Sequence, residues 1–443
     1  MIVADNLQFG TGCATRIRVY INNRSDLQHV KLGEPFIVEE PTMKIVEEPS
    51  TFLLRAFVQS GRNASKHSWW AAAYAIAHWF ETLNHLGLDW QIATRENLIR
   101  YRDAHFAPGI ISPQTGRPYS KNTVRSRMLY IIQFYSFQAR AGVYSGSLHV
   151  ESMRSVTKEP RTRLDAATYT QRNSAQGELT SLLPRKRRAT SPIRPFSGVE
   201  WDKFTEALGP LPSEQLNAQA QSCRNRLIII LTVLTGLRVS EVMRLTCHDF
   251  LTMKPDTNSP AVEQPLNVNG KGDIDRLVGI PNWLVAEVQT YIHGERARAV
   301  QSIRAAGRKT NVSALFVSNV GHSRVGLPMT KRCYQKVVEN ACVAAGLTKI
   351  IQRTDPITRS ITWVEKPKHC FHDLRHTFAV LLYQAERAIG NPEPWKRVQQ
   401  ALGHKYLKET IETYISFVTV FDNTPHVVNT WDLIGQTLPG RPT

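Results

Sequence analysis

"HCFHDLRHTFAVLLYQ", residues 369–384, sets two histidines four apart, His372 and His376, with Arg375 between them. Two chemistries compete for this stretch. His372 with His376 could be half of a zinc site, and His372 with Arg375 could be half of a phosphate clamp. A metalloprotease helix carries its general-base glutamate directly after the first histidine, in the order H-E-x-x-H. Here that position is Asp373, a shorter arm, and no third ligand follows downstream. No metal is expected. On a helix, residues i and i+3 share a face, so His372 and Arg375 project together, and a planar guanidinium fork suits two oxygens of one phosphate. Alone, H-x-x-R is common by chance.

Its company gives it weight. "TGLRVSEVMRL" (235–245) puts Arg238 just after a glycine break where a helix begins, with Glu241 three residues on to buttress the guanidinium. "GKGDIDRLVGIP" (270–281) sets Lys271 at a hairpin tip, and "ALGHKYLKETIETYISF" (401–417) supplies His404 and Tyr414. Two arginines, a lysine, two histidines and a tyrosine, without an acidic cage, are a kit for metal-free phosphoryl transfer.

In these motifs and their order (TGLR-x-x-E, GKG, H-x-L-R-H, LGH, then tyrosine) the chain closely resembles the tyrosine recombinase, or lambda-integrase-like, family. The resemblance covers about residues 51–148 and 196–420. It implies that Tyr414 attacks the scissile phosphate to form a 3′-phosphotyrosyl link, and that Arg238 and Arg375 clamp the non-bridging oxygens. It further implies that Lys271 protonates the departing 5′-oxygen, and that His372 and His404 orient the phosphate and manage the tyrosine proton. One spacing departs from the pattern: the family tyrosine usually lies nine residues after the LGH histidine, and Tyr414 lies ten after His404. A one-residue bulge in the connecting loop accommodates it. Tyr406 is too near His404, and Tyr383 reads as core.

Bulk composition agrees with a polyanionic partner. The 443 residues carry 55 Lys+Arg against 37 Asp+Glu, a formal net charge of +18, with an ordinary 42% hydrophobic content. Such an excess points to nucleic acid before membrane. The start, "MIVADNLQFG", lacks a basic segment followed by an apolar run. The longest apolar stretch, "LIIILTVLTGL" (227–237), is far short of the roughly 20 residues a membrane span needs. Six cysteines scatter without a CxxC pair, which fits a reducing cytoplasm and neither a disulfide framework nor a zinc ribbon.

Residues 1–50 form an N-terminal extension: "RIRVYINN" (16–23) suits a strand, and the echo "IVEEP" at 37–41 and 45–49 reads as an extended, solvated connector. Residues 51–148 turn helical. "HSWWAAAYAIAHWFETLNHLG" ends at Gly87 and "YSKNTVRSRMLYIIQFYSFQARAG" at Gly142, both suited to helix ends. Trp69, Trp70 and Trp79 read as core. Lys121, Arg125, Arg127 and Arg140 are either a solvated face or a phosphate-contacting one. Residues 149–195 are a basic linker closing on "PRKRRATSPIRP", where Arg185, Lys186, Arg187 and Arg188 suit a tether along DNA phosphates. The remaining domain, 196–443, opens with Ser197 and Glu200 at capping-box spacing, has a hairpin around Gly270-Lys271-Gly272, and is otherwise expected to be helical to about residue 434.

The expected fold is mainly α with a small β-sheet (α+β). The resemblance implies a helical core-binding domain plus a catalytic domain closing as a C-shaped clamp on double-stranded DNA. It also implies a homo-tetramer on two duplexes carrying specific recombination sites, joined by a tail in which Val427, Trp431 and Ile434 share a helix face. Accessory DNA-bending or directionality proteins fit such a system. No cofactor and no membrane are expected, and the expected setting is the cytoplasm, in association with the nucleoid, with the gene bacterial or carried by a phage or mobile element. The expected activity is site-specific recombination or integration. The alternatives are a type IB topoisomerase-like or resolvase activity that nicks and reseals, and a DNA-binding relative without catalysis.

Overall fold

The computed structural model describes residues 16–60, 65–113, 115–149, 179, 181–185, 193–215, 221–270, 275–307, 312–319, 324–355, 357–404 and 406–422, without the side chains of 415–422. The chain divides into two compact units, Met1–Thr190 with Gln352–Trp363, and Ser191–Ile351 with Val364–Thr443.

In the first unit, β1 (Arg16–Ile21) pairs antiparallel with β2 (Pro35–Glu40), and β2 with β3 (Lys44–Ile45). Period-2 alternation turns Ile17, Val19 and Ile37 into the same core as Phe52, Trp79 and Tyr135. This corrects the reading of 37–49 as a solvated connector. The paired glutamates dominate its composition, but the intervening Ile37 and Val38 are buried. Helix α1 (Glu47–Leu53) follows directly, then α2 (Lys66–His85), α3 (Arg95–Phe106) and α4 (Lys121–Arg140). Helices α2 and α4 pack together, and Trp79 Nε1 donates to Tyr135 Oη at 3.0 Å, which donates in turn to the Trp90 carbonyl at 3.0 Å. Trp69 and Trp79 are buried, and Trp70 Nε1 donates to the Gly33 carbonyl at 2.8 Å.

The second unit opens with α5 (Gly198–Glu206), whose start is satisfied by the Glu200 carboxylate accepting the Ser197 N–H at 3.0 Å. Helix α6 (Arg224–Thr235) is apolar on nearly every side because other elements surround it. Gly236 ends it with φ 63°, and a Cβ there would collide with the Phe378 ring, so the break needs glycine twice over. A short helix α7 (Val239–Val242) follows. Strands β4 (Glu263–Asn269) and β5 (Asp275–Pro281) form the expected hairpin, in register from Glu263↔Pro281 to Asn269↔Asp275. Then come α8 (Asn282–Tyr291), α9 (Ala297–Ala305) and α10 (Lys331–Ala344).

A second hairpin, β6 (Thr348–Thr354) with β7 (Ile361–Pro367), interrupts the region expected to be helical. Its β-branched residues, Thr348, Ile350, Ile351, Thr354, Ile361, Thr362 and Val364, favour the extended backbone. Helices α11 (Phe371–Ala388), α12 (Pro394–Leu402) and α13 (Leu407–Asp422) complete the unit. Helix α11 packs on α6 and α12. The architecture is therefore mainly helical with small sheets, three of them among the described residues instead of the single one expected. No helix among the described residues is long and apolar enough to cross a membrane. Lys271, Lys186, Arg187, Arg188, Val427, Trp431 and Ile434 lie outside the described residues.

Candidate active site

The N-terminal turn of α11 holds the residues quoted from its sequence. Asp373, the residue in the general-base position of a zinc helix, accepts the Cys370 N–H at 2.8 Å and so caps its own helix. His376 lies one turn after His372 on the same helix. Its Nδ1 lies 3.1 Å from Tyr414 Oη, while the two histidine rings meet edge to face at 4.6 Å.

Arg375 is 2% exposed, and its fork is held by backbone: Nη1 donates to the Gly236 carbonyl and Nη2 to the Leu402 carbonyl. Both acceptors are C-terminal groups of helices (α6 and α12), which the guanidinium satisfies while complementing their dipoles. Burial pulls its pKa down to about 9, the neighbouring Arg238 adds to the fall, and Tyr414 and Glu241 oppose it. A cation this costly to bury, beside a second arginine, is primed for an anion.

Arg238 caps α7, and Glu241 closes on it: the carboxylate accepts the Arg238 N–H at 2.7 Å and its Nη1 at 2.9 Å. Sequence spacing anticipated this pair. It did not anticipate Arg276 of β5, whose Nη1 and Nη2 donate to both oxygens of Glu241, each at 2.8 Å. Burial alone would raise the Glu241 pKa, but the Arg276 hydrogen bonds, the Arg238 N–H and the two positive charges hold it down to about 2. The carboxylate is ionised throughout the physiological range.

His404 follows Gly403, whose φ of 62° ends α12. Its Nδ1 lies 2.9 Å from Thr410 Oγ1 and its backbone carbonyl accepts from Gln399 Nε2 at 3.1 Å. Burial, then the charges of Arg375, Arg238 and Arg276, lower its pKa to about 4. His372 is lowered as well, by burial and then by Arg375, with Arg238 adding to it. For His376 burial dominates, His372 and Arg375 add to it, and the pKa falls to about 3. All three imidazoles are neutral at pH 7 and able to accept a proton or donate a hydrogen bond.

Tyr414 is 2% exposed and packs among Phe378, Tyr383, Val398 and Leu402. Burial raises its pKa to about 12, against the pull of Arg375 and Arg238. Tyr406 is 56% exposed, and Tyr383 is buried against Trp395 with ring centroids 4.1 Å apart. Of the tyrosines considered, only Tyr414 shares its surroundings with the arginines and histidines.

The expected DNA-contacting residues divide. Lys121 and Arg185 are exposed. Arg125 Nη1 donates to the Pro184 carbonyl at 3.0 Å, and Arg140 Nε to the Ser136 carbonyl at 3.0 Å. Arg127 is turned inward, with Nη1 3.0 Å from His105 Nε2 and the guanidinium 5.0 Å over the Tyr119 ring. The open surface expected for it is thereby corrected: a buried histidine and an aromatic face hold its head group.

Residues 212–418 match the family model described as the phage integrase family. The likeness to the phage integrase family thus covers a little under half of the chain. Tyrosine recombinase XerH of Campylobacter jejuni is 27% identical over 228 residues, covering 52% of this chain and 48% of that protein. Tyrosine recombinase XerD of Staphylococcus saprophyticus is 24% identical over 215 residues, covering 48% and 57%. The chain thus spans about half the length of the curated relatives it matches. Among solved structures, XerH bound to a palindromic difH substrate is similar with a TM-score of 0.46 at 16% identity, covering 84% of this chain and 82% of that one. A lambda integrase dimer (residues 75–356) bound to a COC′ core site is similar with a TM-score of 0.43 at 15% identity, covering 81% and 96%.

Proposed function

We propose that this protein is a site-specific DNA recombinase or integrase that cuts and rejoins strands through a 3′-phosphotyrosyl intermediate on Tyr414. The observation that carries the reading is the convergence of Arg238, Arg375, His404 and Tyr414, from separate segments, on one cationic cluster. The carboxylate beside it, Glu241, is fully engaged by arginines.

In the proposed step Tyr414 Oη attacks the scissile phosphorus and the bond from phosphorus to the 5′-oxygen breaks. The phenol proton leaves to a neutral imidazole of the cluster formed by His376, whose Nδ1 is 3.1 Å from Oη, His372 and His404, and the departing 5′-oxygen takes a proton from Lys271. Arg238 and Arg375 hold the non-bridging oxygens. Arginine has five N–H donors, so the two backbone contacts of Arg375 leave donors for a phosphate. Because the phosphotyrosyl link preserves the phosphodiester energy, attack by a 5′-hydroxyl from a second strand reseals DNA with no cofactor. The substrate in this reading is double-stranded DNA, with four copies of the chain assembling on two duplexes.

The test is covalent capture. The full chain is incubated with a pool of labelled, nicked duplexes of randomised core sequence, and protein–DNA adducts resistant to denaturant are collected and sequenced. Wild type should yield adducts sharing a core sequence, and Tyr414→Phe should bind the selected duplex yet form none. Adduct from Tyr414→Phe but not from Tyr406→Phe would reassign the nucleophile. Joining of two differently labelled selected duplexes separates a recombinase from an enzyme that only nicks and reseals.

A further inference from the structure

Arg276 belongs to none of the motifs that carry the family resemblance, yet three parts of the site meet on its side chain. Its fork holds both oxygens of Glu241 at 2.8 Å. Its Nε donates to the Ala401 carbonyl at 3.2 Å, in the last turn of α12 just before Gly403 and His404. Its stem fills the space beside Gly403, where a Cβ would stand 2.9 Å from Arg276 Cδ. Gly403 is thus required both for its left-handed backbone and for the closeness of this arginine. The side chains of Arg276 and Glu241 are 9% and 1% exposed, so water cannot replace either partner cheaply.

Glu241 accepts four hydrogen bonds, two from Arg276 and two from Arg238. With the backbone donor of Arg238 fixed by α7, the plane of the carboxylate is set by the bidentate grip of Arg276, and the Arg238 head group follows that plane. Arg276 sits on β5 one residue after Asp275, so the same side chain ties the β4–β5 hairpin, whose tip sequence includes Lys271, to Arg238 and to the His404 turn.

We propose that Arg276 is a positioning residue for strand cleavage, locking Glu241 and the His404 turn to strand β5 so that the Arg238 clamp and His404 are aligned together. This rests on the functional reading above. A merely structural salt bridge predicts something different: loss of stability, with DNA binding and chemistry falling together, and substantial rescue by lysine, which keeps the charge. Positioning predicts no such rescue, because one ammonium cannot hold both Glu241 oxygens and the Ala401 carbonyl in one plane.

The experiment uses the full chain as wild type, Arg276→Lys and Arg276→Met. In the first arm, single-turnover adduct formation on the captured duplex is measured at saturating protein, with Kd measured separately. Arg276→Lys should cleave on the order of 10²-fold more slowly, the scale of a lost electrostatic contact in a transition state, with Kd unchanged. Cleavage at the wild-type rate, or cleavage and binding weakened by the same factor, would overturn the proposal. The second arm needs no DNA: ¹⁵N spectra of arginine side chains report whether rotation of the Arg238 guanidinium is hindered by Glu241. Hindered rotation in wild type and free rotation in Arg276→Lys is expected; hindered rotation in both refutes the positioning role. If wild type captures no duplex, the functional reading fails in the first arm while the second still decides what Arg276 holds.

Discussion

Acid should loosen the second unit, and two of its histidines carry much of the effect. His404 has a pKa of about 4 and His376 of about 3, against 6.5 for an unperturbed imidazole. Both are lower folded than unfolded, so the unfolded chain binds the additional protons. Stability is therefore full above pH 6.5, falls as pH drops below it, and stops falling once each folded pKa is passed. At pH 5, 1.5 units below the unfolded value, each contributes a loss of up to about 2 kcal/mol at about 1.4 kcal/mol per unit, less whatever solvent screens. Together they approach about 4 kcal/mol, a large share of a domain stability of roughly 5–15 kcal/mol. Glu241 does not confuse the window, because its stabilising ionisation is lost only from its unfolded value of 4.5 downward, towards its folded value of about 2. The assay is urea unfolding at pH 7.5 and pH 5 for wild type, His404→Gln and His376→Gln. Each variant should lose about 2 kcal/mol less than wild type between the two pH values. Equal losses in all three proteins would refute the origin assigned here, that burial and the arginine charges keep these rings neutral.

Three shorter predictions extend to residues beyond the described ones. Lys271→Ala should slow adduct formation by roughly 10²–10⁴-fold on ordinary DNA and be near normal where sulfur replaces the bridging 5′-oxygen, while Arg238→Ala stays slow on both. If sulfur rescues neither or both alike, Lys271 is not the acid. Replacing Arg185, Lys186, Arg187 and Arg188 with alanine should flatten the salt dependence of DNA affinity, by a slope of roughly 0.9 per lost phosphate contact, without altering site preference. A changed preference would mean that the run reads bases or groove shape. Ending the chain after residue 422 should leave single-site cleavage intact and weaken pairing of two duplexes; unchanged tetramer formation would count against docking through Val427, Trp431 and Ile434.

Much of the site was legible because its groups violate their surroundings. A histidine and an arginine in the first turn of an otherwise apolar helix, and an arginine directly after a helix-breaking glycine, are conspicuous in one dimension. Arg276 and His376 were not. Arg276 is one polar residue on an alternating strand, and nothing local distinguishes it from a solvated one; its partners Glu241 and Ala401 are 35 and 125 residues distant in sequence. His376 shares a helix face with apolar neighbours and reads as core until Tyr414 is folded against it. Arg127 failed in the opposite sense: a long basic side chain on an amphipathic helix can snorkel outward or turn in, and only the position of His105 decides. Strand β1 was legible in residues 16–23, whereas its partners β2 and β3 and the β6–β7 hairpin were missed where glutamate, proline and scattered charge masked short runs of β-branched residues.

The surroundings of Tyr414 contain two opposed forces, and their balance can be tested directly. Burial among Phe378, Val398 and Leu402 disfavours a phenolate, whereas Arg375 and Arg238 favour one; burial wins and the pKa stands at about 12. At pH 7 the phenol is thus about five units from ionising, a cost of about 7 kcal/mol, which explains why a neutral imidazole beside the phenol matters. If the arginines supply the downward pull, removing one must raise the pKa further, even though the same substitution opens space that would otherwise hydrate the phenol and lower it. Arg375→Met keeps an unbranched apolar stem that fills part of the space and removes the guanidinium with its charge and its two backbone contacts, so the electrostatic effect should dominate. The measurement is an alkaline titration of tyrosine labelled with ¹³C at the ring carbon bearing the hydroxyl, with Tyr414→Phe to assign the signal. In wild type that signal should titrate near 12 and in Arg375→Met at a higher pH. A shift to lower pH in the variant would mean that hydration outweighs charge around Tyr414, and that Arg375 reaches the reacting phosphate without preparing the nucleophile.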